Sequence, residues 1–141
     1  MKNMRIRTIS AALTGALLAG VLWVPASFSQ SNAITAEIPF AFYVDKKVMP
    51  AGTYTVQAAS MGSWVMRISN QTGKAAFVTT TVTPNKGPST GRMVFNRYGS
   101  TYFLSELHWP DNSVGHAVRQ TEQERELITS HPRIPVELTA R

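Results

Sequence analysis

The stretch RYGSTYFLSELHW, residues 97–109, decides how the chain folds. Gly99 and Ser100 separate two runs rich in aromatic and β-favouring residues, which predicts the tip and second arm of a β-hairpin. Two registers are compatible with it. A two-residue Gly99-Ser100 loop pairs Phe95 with Leu104 and Met93 with Glu106, and leaves His108 on the apolar face. A three-residue loop with a bulge at Gly99 puts Met93, Phe95 and Arg97 on one face with Phe103, Ser105, Leu107 and Trp109. The bulged register is favoured, because it buries no unpaired carboxylate and gathers the better hydrophobic set. Glu106 and His108 then leave the strand on the side of Tyr102 and Leu104.

Working outward, the same period of two recurs. Ala36, Ile38, Phe40, Phe42 and Val44 form one face of a strand, and Pro39, which cannot donate to a ladder, places that strand at an edge or points the position out of the sheet. MPAG, residues 49–52, is a turn. Tyr54, Val56 and Ala58 line the next strand, and Trp64, Met66 and Ile68 the one after. NQTG, residues 70–73, closes a hairpin into a threonine-rich strand over 75–83. A long polar loop over 84–91 leads to the central hairpin, and PDNS, residues 110–113, leads to short strands over 114–118 and 134–138. Thr121 followed by Glu124 is a capping box with Pro132 beyond it, which predicts one short helix. Its acidic residues, Glu122 to Glu126, read as a solvated first turn.

The pattern predicts an all-β fold, a single antiparallel meander of about seven or eight strands forming a small barrel or sandwich, with one short helix near the C-terminus. A membrane barrel shares the alternation, but strands of about six to nine residues are short for a bilayer.

Residues 1–29 have the layout of a secretory signal peptide. Lys2, Arg5 and Arg7 precede an uncharged apolar run over 9–24, and Pro25 with the small residues Ala26, Ser27 and Ser29 follows. That predicts an exported protein, periplasmic or extracellular, whose only membrane contact is the cleaved leader. Residues 30–141 then form a single β domain. There is no cysteine, so packing alone must hold an exported fold together. Once the leader is removed, 11 Lys and Arg face 8 acids without forming a stripe, which argues against nucleic acid as a partner.

The chemistry on offer is narrow. No G-x-S-x-G is present and the nine glycines are scattered through turns, so no nucleophile elbow, phosphate loop or cofactor motif is visible. Glu106, His108 and His116 are the candidate metal ligands. If 111–113 form a three-residue loop, His108 lies opposite His116 with Glu106 beside it, a possible site for zinc or a similar divalent ion. If Pro110 joins the loop the parity flips and the histidines point apart. Two rim histidines are the simpler reading, since H-x-H and H-E-x-x-H spacings are absent. The aromatic set Phe40, Phe42, Tyr54, Trp64, Phe77, Phe95, Phe103 and Trp109 could line a ligand cavity, but filling a small interior is the commoner use.

The segments IPFAFYV (38–44), MPAGTYTV (49–56), MVFNRYGSTYFLSELHW (93–109) and ERELI (124–128) resemble a group of small exported bacterial β proteins. That group carries LPAG-x-Y and RYG-x-x-YFL motifs. The chain departs at Met49, where Leu is usual, at Lys46 and Lys47, where a Gly is common, and at Leu107. The resemblance implies export and a β fold and carries over no site residue.

Function is thereby narrowed to three expectations. The first is a non-catalytic domain of the cell envelope that binds a protein partner or an apolar small ligand. The second is a metal-dependent enzyme using His108, His116 and Glu106. The third is an envelope assembly subunit that pairs through exposed strand edges.

Overall fold

A computed structural model describes residues 32–141. The signal peptide expected over 1–29 therefore lies outside the described residues. Ten strands and one helix follow in order: β1 (Ile34–Ile38), β2 (Phe42–Val44), β3 (Lys47–Met49), β4 (Gly52–Ala58), β5 (Val65–Asn70), β6 (Ala75–Pro84), β7 (Gly91–Tyr98), β8 (Thr101–His108), β9 (Val114–Val118), α1 (Glu122–Ile128) and β10 (Ile134–Ala140). The all-β class with a short C-terminal helix holds. The strand count rises to ten, and one reason is Pro39: β1 ends before it and the chain restarts as β2 on different neighbours. The inward alternation survives the break, with Ala36, Ile38, Phe42 and Val44 all buried.

The strands form one mixed sheet in which neighbours run β1-β4-β5-β6-β9-β8. β7 pairs β8 along its length, and β10 pairs the far edge of β7. The other edge of β8 is shared. β9 takes Glu106 to His108, and β2 adds one parallel contact at Tyr43 and Phe103, which is why the sheet is mixed rather than a pure meander. The ladders do not close into a barrel. Thr35 and Arg141 nevertheless exchange backbone hydrogen bonds of 2.7 and 2.9 Å, bridging β1 to the end of β10.

The hairpin at 97–109 combines the two expected registers. Gly99, at φ +61°, and Ser100 form a two-residue turn, and Phe95 pairs with Leu104. A bulge follows, at Ser105 rather than at Gly99, so Val94 meets Glu106 and Met93 meets Leu107. The extra residue lets Leu104 and Leu107 share the core face with Met93 and Phe95. It also turns Glu106 and His108 to the opposite face.

β7 and β8 are buried on both sides. Outside the main core, Phe103 stacks on Tyr43 at 5.0 Å and meets Tyr98 at 6.0 Å. α1 meets the neighbouring part of β7 through the side chain of Glu124. Thr121 caps the helix by accepting from the Glu124 backbone, as the sequence predicts. The Glu124 side chain, by contrast, is not solvated: it is 3% exposed and accepts from Asn96 Nδ2 at 2.9 Å and from the Tyr98 hydroxyl at 3.1 Å. Burial, and then the adjacent Glu124 carboxylate, push the Tyr98 phenol up to about 12, with Arg133 opposing.

The aromatic residues divide in a way that alternation explains in part. Phe42 meets Tyr54 at 5.1 Å and Phe95 at 5.3 Å, edge to face, at the centre of the core. Phe77 is 59% exposed, because β6 turns Ala76, Val78 and Thr80 inward and so turns residue 77 outward. Trp64 precedes β5 and is 55% exposed.

Candidate functional site

Of the three candidate metal ligands, the structure brings two together. Glu106 Oε2 lies 2.8 Å from His108 Nε2, on the face away from the main core. His108 is 1% exposed, and its Nδ1 has no hydrogen-bond partner. The space for its ring comes from the neighbouring strand, where Gly115 pairs with His108. A Cβ at 115 would lie 2.4 Å from His108 Cε1 and Nδ1, so the imidazole rests on bare backbone. His116 pairs with Leu107, so it leaves β9 on the other face. This is the parity expected when Pro110 belongs to the loop. Among the described residues, no group of three His, Cys, Asp or Glu side chains is placed to hold a metal ion.

His116 belongs to a different site. It lines a pocket of about 360 Å³ together with Trp64, Trp109, Met66, Ala58 and Asn112. Trp64 is positioned by β6, whose Thr80 donates to the Trp64 carbonyl from both its backbone N–H and its hydroxyl, each at 2.9 Å. Trp109, one residue beyond β8, donates its indole N–H to the Asn32 carbonyl at 2.7 Å. The His116 ring sits edge-on to Trp109 at 5.3 Å and tilted against Trp64 at 6.1 Å. Its Nδ1 lies 3.1 Å from Thr80 Oγ1. Burial, and after it the nearby His108, hold the His116 imidazole below its ordinary range, which favours the neutral ring.

Three of the pocket's features were visible in the sequence, since Trp64 and Trp109 stand in the aromatic set and His116 among the candidate ligands. Their meeting was not visible, because it depends on the 109–113 loop and on the pairing of β6 with β9. Met66 stood on the expected strand face with Trp64 and Ile68, whereas Asn32 and Asn112 carried no signal of their own. Glu124 was missed as a buried anchor because a capping box ordinarily keeps its glutamate at the helix surface.

Comparison of the chain with protein-family models, curated proteins and solved structures returns no match.

Proposed function

We propose that the chain is an exported, non-catalytic β domain of the cell envelope that binds an apolar small ligand in the pocket formed by Trp64, Trp109 and His116. The observation that carries this reading is the convergence of two indoles and a neutral-leaning imidazole on one concave site that, among the described residues, is lined by no Asp, Glu, Lys or Arg. Its volume of about 360 Å³ falls in the usual range for small-molecule sites. The leader-like pattern over 1–29 supports export, and the likeness of the MPAGTY and RYGSTYFL segments to small exported β proteins points the same way.

Native mass spectrometry of the protein from its own envelope fraction tests this reading. The expected spectrum shows a chain shortened by the leader and a non-covalent small-molecule adduct that Trp64→Ala removes. A full-length chain without adduct, or stoichiometric metal accompanied by hydrolytic turnover, would overturn it.

A further inference from the structure

We propose that this pocket takes a neutral planar aromatic molecule bearing a hydrogen-bond donor, such as a phenol or an aryl N–H, with the donor resting on His116 Nε2. The inference rests on the pocket being a ligand site, and it adds the chemistry of the ligand.

The argument begins with one proton. Thr80 Oγ1 lies 2.9 Å from the Trp64 carbonyl oxygen and 3.1 Å from His116 Nδ1. A carbonyl can only accept, and a hydroxyl has one proton to give, so Thr80 donates to Trp64. Its oxygen must then accept from the imidazole. Nδ1 therefore carries the proton of the neutral ring, and Nε2 is left as a bare lone pair. Burial favours this uncharged state of His116. Among the described residues, Nε2 has no hydrogen-bond partner.

The rest of the pocket defines what can meet that lone pair. The Trp109 N–H is already given to Asn32, so it does not compete for His116. Ser63 Oγ and Asn112 Oδ1 already accept from the backbone N–H groups of Val65 and Val114. With no charged side chain in the lining among the described residues, an ionised ligand would be desolvated without compensation. Two indoles favour a flat apolar partner, which can stack or approach edge-on. About 150 Å³ is enough for a benzene ring, so about 360 Å³ accommodates a substituted one.

The test is a titration of the isotope-labelled full chain with p-cresol and with 4-methylanisole, which has the same ring without the donor. The signals followed are the indole N–H groups of Trp64 and Trp109 and the ring nitrogens of His116. p-Cresol should bind about five- to tenfold more tightly, the worth of one hydrogen bond, and should shift the His116 Nε2 resonance, whereas 4-methylanisole should not. His116→Phe keeps an aromatic ring and leaves Thr80 donating to Trp64, and in that variant the preference should vanish. Equal binding of both probes by the unaltered protein would overturn the donor inference while leaving the pocket a ligand site. A preference that persists in His116→Phe would overturn it as well, by moving the donor's partner elsewhere. If neither probe moves the indole signals up to its solubility limit, the ligand-site reading fails and the donor inference fails with it.

Discussion

Replacing Glu124 with alanine should destabilise the fold far more than any other change on the helix surface. The carboxylate is 3% exposed and satisfies two donors from β7, Asn96 Nδ2 and the Tyr98 hydroxyl, both through Oε1. Each buried donor left without a partner costs about 1–3 kcal/mol, so Glu124→Ala should cost about 2–5 kcal/mol. Glu124→Gln can still present an amide oxygen to both donors and loses only the assistance of the charge, about 1–2 kcal/mol. Glu122→Ala, exposed on the same helix, should stay within about 0.5 kcal/mol. Urea unfolding at neutral pH measures all three. The Tyr98 phenol supplies a second readout. Its folded-state value is raised to about 12, so the associated stability is fully present below the unfolded value of 10.0 and is lost as pH rises through about 12. In Glu124→Gln the Tyr98 titration, followed by ultraviolet absorbance, should move down. It should stop short of the ordinary value, because burial is the larger cause. If Glu124→Ala cost no more than Glu122→Ala, the buried carboxylate would not be holding the helix to the sheet.

Gly115→Ala should destabilise by about 1–3 kcal/mol, because the new methyl group would overlap the His108 ring. Adding His108→Ala should recover most of that loss, and a double-mutant cycle from urea unfolding decides it; additive effects would place the strain elsewhere. Acid should weaken the fold through His116. Its folded-state value is depressed, so its contribution is intact above the unfolded value of 6.5 and is lost as pH falls through the folded one. The stability difference between the unaltered protein and His116→Phe, measured by urea unfolding across that range, should therefore narrow on acidification; a constant difference would refute it. Thr80→Val removes the acceptor for His116 Nδ1, and should release the ring tautomer, read as a change in its nitrogen resonances.

The legible part of the fold was the part governed by local rules. Strand alternation, the NQTG and MPAG turns and the Thr121 cap all depend on neighbours within a few residues, and each stands where the sequence predicts it. Pro39 signalled trouble for its strand but not its form, since a missing N–H can be tolerated at an edge or can end the strand. Phe77 is turned outward by the Ala76, Val78 and Thr80 alternation, a parity that its aromatic character, which groups it with the core residues, does not reveal. Glu124 was misjudged for a physical reason: its partners lie on β7, 26 and 28 residues away, and no local pattern encodes such a contact.

The candidate site turned on two insertions of a single residue. The bulge at Ser105 leaves Met93 opposite Leu107 and moves Glu106 and His108 off the core face, where the pair can keep the carboxylate half-exposed. Pro110 in the following loop then sets Leu107, and not His108, against His116. One residue fewer in that loop would place the two imidazoles side by side on the outer face, next to Glu106. The observed register separates them across the sheet and gives His116 to the tryptophans instead. Register thus chooses between two chemistries available to the same residues, and here it favours an uncharged aromatic pocket over a cluster of metal ligands.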